Sequence, residues 1–254
     1  MRMKDKVAIV TGGGSGFGEG IVRKFVAEGA QVLVADIDLD NALRVAAAVG
    51  GAARALKVDV ADAGDVRLLM ETAELHFGRL DVLVNNAGIG HLPQPLEDLA
   101  EAEWDRIAAV NMKAIYLAMR EAVPRLKAQA AGAHGIRGVV LNIASTAGVS
   151  PRPRLAWYNA SKGWVITATR ACAVELAPFG IRVNALNPVA GETPLLKTFM
   201  GEDTPEMRAK FIGTIPLGRF SQPEDLGNAA CYLCSDEASM VTGVCMEVDG
   251  GRCI

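Results

Sequence analysis

No block of like charges occurs anywhere in the 254 residues, and the net charge is only −3. That excludes the basic footprint of a nucleic-acid-binding surface. No apolar run reaches the roughly 18 residues needed to cross a bilayer, so no membrane-spanning helix is expected. The opening segment, Met1 to Lys6, is charged and leads straight into a strand-like stretch, unlike a secretory signal peptide. Cysteine is scarce, at five residues, an odd number scattered in apolar surroundings. Cys231-Tyr232-Leu233-Cys234 has CxxC spacing but lies in a helical pattern with no second pair. Buried small hydrophobes are the expectation there, with no metal ligated, and a reduced, cytoplasmic setting follows. Linkers, repeats and low-complexity segments are also missing, so one large domain is expected over residues 1–254.

What is present is a large reserve of core: 50% hydrophobic against 22% charged residues. Val7-Ala8-Ile9-Val10 is a short apolar run of the kind that suits a parallel strand covered on both faces. A glycine turn follows, Thr11-Gly12-Gly13-Gly14-Ser15-Gly16-Phe17-Gly18. Next comes a helical pattern with Phe17, Ile21 and Phe25 at four-residue spacing, then a second strand from Gln31 to Ala35 that closes with Asp36. Strand, glycine turn, helix, strand and acid make a mononucleotide-binding β-α-β unit. Glycines let the backbone approach a pyrophosphate, and the helix N-terminus offers free N–H groups and a positive dipole end. The spacing is G-x-x-x-G-x-G at Gly12, Gly16 and Gly18, which differs from the common G-x-G-x-x-G. Asp36 can accept from the adenosine ribose hydroxyls and would repel a 2′-phosphate. No arginine or lysine sits at Ser15, Ile37 or Asp38 to compensate, so NAD is expected over NADP.

The alternation continues to the end of the chain. Helical patterns cover Leu39 to Val49, Val66 to Phe77, Trp104 to Leu126 (with Pro124 as the expected kink), Trp157 to Ala177, and Gln222 to Cys234. Strands are expected at Ala53–Val58, Leu80–Val84, Gly138–Ala144, Ile181–Leu186 and Gly243–Val248. Such alternation predicts an α/β fold, a doubly wound, Rossmann-like parallel sheet of seven strands with helices on both faces. Ligands of these sheets bind at the carboxyl ends of the strands, and polar residues gather there: Gly12 to Gly18, Asp36, Asp59, Asn86, Ser145 and Asn187.

Tyr158-Asn159-Ala160-Ser161-Lys162 places a phenol and an ammonium one helical turn apart on one face. A nearby cation favours phenolate, so the pair can act as an acid/base device. Tyr and Lys also meet at this spacing by chance, so the pair alone decides nothing.

Taken together, Thr11-Gly-x-x-x-Gly-x-Gly18, Asp59, Asn85-Asn-Ala-Gly88, Asn111, Ser145, Tyr158-x-x-x-Lys162 and Asn187-Pro188 resemble the short-chain dehydrogenase/reductase family over nearly the whole chain. The resemblance implies that Tyr158 is the general acid in carbonyl reduction and the base in alcohol oxidation. Lys162 would lower its pKa and hold the nicotinamide ribose, Ser145 would hydrogen-bond the substrate oxygen, and Asn111 would hold a water linking Lys162 to solvent. The cofactor would lie on Gly12, Ser15, Gly16, Phe17, Gly18, Asp36, Ile37, Asp59, Val60, Asn86, Ala87 and Gly88. At its nicotinamide end it would meet Tyr158, Lys162, Pro188, Val189, Gly191 and Thr193. The partner would be a small alcohol or carbonyl compound, turned over in a homotetramer.

One segment departs from the family pattern. Where the family commonly shows Pro-Gly-x-Ile-x-Thr, this chain has Pro188-Val189-Ala190-Gly191-Glu192-Thr193. Residues 189–216 are expected to form a substrate lid, with a short helix from Pro205 to Phe211. The facing wall, Gly148 to Trp157, carries Arg152 and Arg154, either of which could favour an anionic substrate or simply be solvated. His91 could line the same cleft or sit in a solvated loop. A 3-oxoacyl-thioester reductase and a non-catalytic dinucleotide-binding protein remain as alternatives; Asp36 counts against the first, and the intact Ser145, Tyr158 and Lys162 against the second.

Overall fold

The computed structural model describes all residues from Met1 to Ile254. Seven strands form one sheet: β1 (Val7–Thr11), β2 (Gln31–Asp36), β3 (Ala53–Lys57), β4 (Val82–Asn85), β5 (Gly138–Ile143), β6 (Ile181–Pro188) and β7 (Cys245–Val248). Their order is β3-β2-β1-β4-β5-β6-β7, and every pairing is parallel. The chain first winds outward from β1 to β3, then returns to β4 on the other side of β1. That reversal opens a crevice above the ends of β1 and β4.

Successive strand side chains point to opposite faces, and here both faces are dry. Ala8 and Val10, Val32 and Val34, Val82 and Val84 pack on one side with Ile21, Val22 and Phe25 of α1 (Gly16–Ala27). Leu226, Ala230 and Leu233 of α9 (Pro223–Cys234) join them, as does α2 (Leu39–Val49) through Ala42 and Val45. Ile9, Leu33, Leu83 and Val140 face the other way. They meet α3 (Ala63–Phe77), α5 (Ala114–Ala128) and α6 (Ala156–Leu176) through Leu69, Leu117, Leu126 and Leu176. Cys231 and Cys234 lie in the first core as free thiols. A third, smaller apolar cluster lies away from the sheet faces. Val189 packs there with Leu196 and Met200 of α7 (Leu195–Met200), Phe211 of α8 (Pro205–Ile212), Ile215 and Phe220.

The expected architecture holds, with element ends shifted by up to three residues. The long helix from residue 104 behaves differently. It is regular through Pro124, and its irregularity lies at Ala109–Lys113, a π turn between α4 (Glu101–Ala108) and α5. A π turn inserts a residue into the helical ladder and frees local backbone groups. Pro124 lies inside the second half of α5 without ending it. The break forms instead at Asn111, whose side chain bonds outside the helix to Ile89 and Ser161. The structure gives the lid one more helix than expected, since α7 precedes the predicted Pro205 helix.

Candidate active site

At the end of β1 the chain turns through Gly12 (φ +61) and Gly16 (φ +53), a left-handed backbone that glycine adopts freely. Gly18 answers a different need. A Cβ there would lie 2.0 Å from the Gly12 carbonyl oxygen, so only glycine lets α1 close on the turn. The first N–H groups of a helix have no intrahelical acceptor. In α1 the Glu19 N–H is the first to find one, at 3.0 Å from the Ser15 oxygen. Ser15, Gly16, Phe17 and Gly18 thus present a cradle of backbone amides to the cleft.

Asp36, at the end of β2, is fixed by two amides: Gly14 N–H donates to Oδ2 at 2.9 Å and Asp38 N–H to Oδ1 at 3.0 Å. Its carboxylate stands at the cleft wall beside Ile37. One cation does approach this corner, and sequence proximity concealed it. Arg44, on α2, donates to the Gly14 carbonyl at 2.8 Å, but Glu19 pairs with it at 2.7 Å. Its charge is therefore already matched. Asp59 and Val60 continue the wall; the Asp59 N–H donates to Asp65 Oδ2 at 2.8 Å, and Asp59 Oδ1 accepts from Ala61 at 2.9 Å. Asn86 ties β4 to β1, its amide donating to the Thr11 and Gly12 carbonyls at 2.8 and 3.0 Å. Ala87 and Gly88 follow it along the cleft.

The centre of the site is built by helix α6 and the π turn. Tyr158 and Lys162 are both 5% exposed, with the ammonium 5.9 Å from the ring centroid. Lys162 Nζ donates to the Ile143 carbonyl at 2.9 Å, at the end of β5. Asn111 does not line the cleft. It stands behind Gly88, accepting from Ile89 N–H at 2.9 Å and donating to the Ile89 carbonyl at 2.9 Å and to Ser161 Oγ at 3.0 Å. This clamp holds the loop after β4 against the turn of α6 that carries Lys162. Ser145, at the start of the loop after β5, accepts from Ala147 N–H at 3.0 Å, so it caps that turn and still has its own proton to donate.

The electrostatics correct one expectation. Burial pushes the Tyr158 phenol up to about 12, opposed in part by the Ser145 hydroxyl, and pushes Lys162 down to about 8. The lowering of Tyr158 expected from Lys162 is outweighed in this dry pocket, where desolvation penalises phenolate and ammonium alike.

The unusual segment after β6 has a structural reason. Gly191 leaves room for Phe17: a Cβ at 191 would lie 2.3 Å from the Phe17 ring and 2.8 Å from the Ser221 oxygen. Val189 turns into the apolar cluster of the lid, and Thr193 packs against Gly16 across the cleft, 3.1 Å from where a Cβ at 16 would be. Pro188, Val189, Gly191 and Thr193 all line the cleft, as do the other predicted cofactor residues. Asn187 does not; it is fully buried and reaches Glu247 instead.

The substrate end shows what pattern reading missed. Phe199 of α7 lies against Tyr158, ring centroids 4.8 Å apart at 50°. Leu196, Leu155, Phe211 and Arg152 complete that end of a cleft of about 450 Å³. The spacing Leu195, Leu196, Phe199 carried the signal for a helix with one apolar face. His91 is neither a cleft residue nor solvated: it is 2% exposed, with Nδ1 2.8 Å from the Leu92 carbonyl. Arg154 is exposed, in a left-handed conformation (φ 65). No helix is long and apolar enough to cross a membrane.

Comparisons with known proteins agree with this geometry. A family model described as enoyl-(acyl carrier protein) reductase matches residues 12–252. The chain is 45% identical over 256 residues to 4-formylbenzenesulfonate dehydrogenase of Comamonas testosteroni, covering 99% of each chain. It is 38% identical to a 2-(S)-hydroxypropyl-CoM dehydrogenase of Xanthobacter autotrophicus, covering 98% of this chain and 97% of that one. The structure of a 3-ketoacyl-(acyl-carrier-protein) reductase of Brucella melitensis complexed with NADH superposes with a TM-score of 0.92 at 50% identity, covering 99% of this chain and 100% of that chain. With a glycine cradle, an acid on the second strand and a buried Tyr–Lys pair at one sheet edge, the chain belongs to the short-chain dehydrogenase/reductase family, and it is an NAD(H)-dependent oxidoreductase of CH–OH groups.

Proposed function

We propose that the protein interconverts a small secondary alcohol and its ketone, with Tyr158 as the group that moves the hydroxyl proton. The observation that carries this reading is the convergence of Ser145, Tyr158 and Lys162 in one cleft that also holds a cradle of amides. The residues fit NAD(H): Gly18 sits where any Cβ would strike the Gly12 carbonyl, and Asp36 is preset by two amides to face a ribose. A nicotinamide held there would supply hydride transfer between its ring and the alcohol carbon. Ser145 donates to the substrate oxygen and steadies charge on it. Tyr158 takes the hydroxyl proton, or gives it back in the reductive direction. Lys162 contributes a cation that favours phenolate, and reaches the nicotinamide ribose. Asn111, fixed on Ile89 and Ser161, is a positioning residue that keeps Lys162 and the Gly88 loop in register and holds a water on the path from Lys162 to solvent.

Residues 189–216 act as the lid. Phe199 against Tyr158 is its inner face, and its apolar lining suits a compact substrate body such as the aromatic ring in the name of the Comamonas testosteroni relative. A homotetramer in a cytoplasmic setting accompanies this reading, with exposed Trp157 and Trp164 on α6 available for a subunit contact. A 3-oxoacyl-thioester reductase is the second reading, favoured by the 50% identical structure and opposed by Asp36, since reductive biosynthesis draws on a 2′-phosphorylated cofactor. The test is an NAD reduction screen over secondary alcohols, polyols, hydroxy acids and hydroxyacyl thioesters, with NADP as control. Turnover of a free secondary alcohol with NAD supports the first reading. Turnover of thioesters alone, with NADP, supports the second.

A further inference from the structure

Arg182 and Arg152 are both withdrawn from solvent without a carboxylate partner, and they are treated very differently. Arg182 is 4% exposed and spends its donors on three carbonyls, with Nη1 to Leu233 at 2.8 Å and Val241 at 3.1 Å, and Nη2 to Ser235 at 3.0 Å. It closes the carboxyl end of α9 and is a structural group. Arg152 is the contrast. Its guanidinium lies 4.5 Å from the Phe211 ring centroid at the substrate end of the cleft, and its Nη2 is buried with no acceptor. Its charged neighbour is a second cation, Arg252, and burial together with Arg252 pushes its pKa down.

Arg252 approaches from the C-terminal turn. Its Nη1 donates to Ser150 Oγ at 3.1 Å, and its Nε is likewise buried without an acceptor. The nearest carboxylate on that turn, Asp249, is already occupied by the Gly251 and Cys253 amides at 2.9 and 2.8 Å. The position of Arg152 is also fixed relative to the reacting end: Asn159, next to Tyr158, donates to the Arg152 carbonyl at 2.7 Å. Burying a guanidinium beside another cation, with a donor left over, is costly unless an anion completes the set. A planar guanidinium fork matches the paired oxygens of a carboxylate or sulfonate.

We propose that Arg152, backed by Arg252, is a specificity-determining site for a substrate that carries a carboxylate or sulfonate on an apolar body. Leu155, Leu196, Phe199 and Phe211 receive the body, and the alcohol end reaches Tyr158. The proposal rests on the reading of this cleft as an alcohol-binding site and narrows its substrate class.

The experiment uses matched secondary alcohols: 1-phenylethanol, 4-(1-hydroxyethyl)benzoate and 4-(1-hydroxyethyl)benzenesulfonate, with the wild type and Arg152→Gln, Arg152→Lys and Arg252→Gln. The expected result is a kcat/KM at least about tenfold higher for one or both anionic alcohols than for the neutral one, the low end of a charge-assisted hydrogen bond. Arg152→Gln removes that advantage, lowering kcat/KM for the anionic alcohols at least about tenfold more than for the neutral one. Arg152→Lys restores part of it, and Arg252→Gln lowers it by less than Arg152→Gln. Which of the two anionic alcohols is preferred separates carboxylate from sulfonate. A second readout needs no turnover: titration of 4-acetylbenzoate, 4-acetylbenzenesulfonate and acetophenone into the protein–NAD complex, where the anionic ketones bind more tightly and lose that margin in Arg152→Gln. Equal losses on neutral and anionic ligands, or no anionic preference in the wild type, overturn the proposal. Absence of turnover for every alcohol contradicts the functional reading instead, and the titration still decides whether Arg152 binds the anion.

Discussion

The two halves of the cleft are made of different material. The nucleotide half, above β1, β2 and β4, is mostly backbone: glycines at 12, 16 and 18, the amides that fix Asp36, and the Asn86 amide bonded to Thr11 and Gly12. The substrate half, above β5 and β6, is mostly side chain: Phe199 on Tyr158, Arg152 over Phe211, and Phe17 seated on Gly191. A backbone cradle accepts the same phosphate and ribose whatever the substrate is. A side-chain pocket can change its ligand by changing a few residues, with the sheet left alone. The two halves meet at Tyr158 and Lys162, so variants should separate into those that stop chemistry, those that shift the nucleotide, and those that reshape the pocket.

The largest effect falls at the junction. Tyr158→Phe should lower turnover by about 100-fold or more, the scale of a lost acid/base group, while NADH binding followed by fluorescence stays near wild type. Near-normal turnover would remove Tyr158 from the mechanism. Lys162 comes next, through stability. Its folded pKa of about 8 lies below that of an exposed lysine, so between those values the unfolded chain binds more protons than the folded one. Stability should therefore rise with pH across that window. Urea unfolding at about pH 7.5 and about pH 9.5 should show the wild type gaining about 2 kcal/mol more than Lys162→Met. An equal pH response in both proteins would mean that Lys162 is not desolvated.

In the nucleotide half, Asp36→Ala should reduce the preference for NAD over NADP by about tenfold in kcat/KM, the worth of one charged hydrogen bond, with little change in KM for the alcohol. An unchanged ratio would move cofactor selection elsewhere, with Arg44 the first place to look. The smallest effect tests the pocket half. Gly191→Ala should cost about 1 kcal/mol of stability by overpacking against Phe17, and Phe17→Leu in the same chain should recover most of it. Simple additivity of the two changes would show that Phe17 and Gly191 are not coupled.

The same division explains what the sequence could disclose. Strand alternation was legible because both sheet faces are buried and the apolar runs are short and regular, as in Val7 to Val10. The nucleotide half was legible because local chemistry dictates it: a left-handed backbone at Gly12 and Gly16, and a helix start beside them. The break at Asn111 was not, because proline is the usual mark of a helix irregularity, whereas Pro124 passes and the π turn depends on bonds to Ile89 and Ser161 from distant segments. The burial of His91 and the meeting of Arg152 with Phe211 and Arg252 likewise come from chain segments far apart in sequence. The raised pKa of Tyr158 was hidden for the same reason: spacing shows that Lys162 is near, and only the packed fold shows how dry the site is.

The central claim is that a nucleotide cradle and an acid/base pair share one cleft and meet at Tyr158. A crystal structure of the protein with NADH tests it most directly. The account predicts the adenosine ribose on Asp36, the pyrophosphate over the Gly16 and Phe17 amides, and the nicotinamide ring facing the Tyr158 hydroxyl, with Lys162 on its ribose. A dinucleotide bound outside this cleft, or with its nicotinamide turned away from Tyr158, would contradict it.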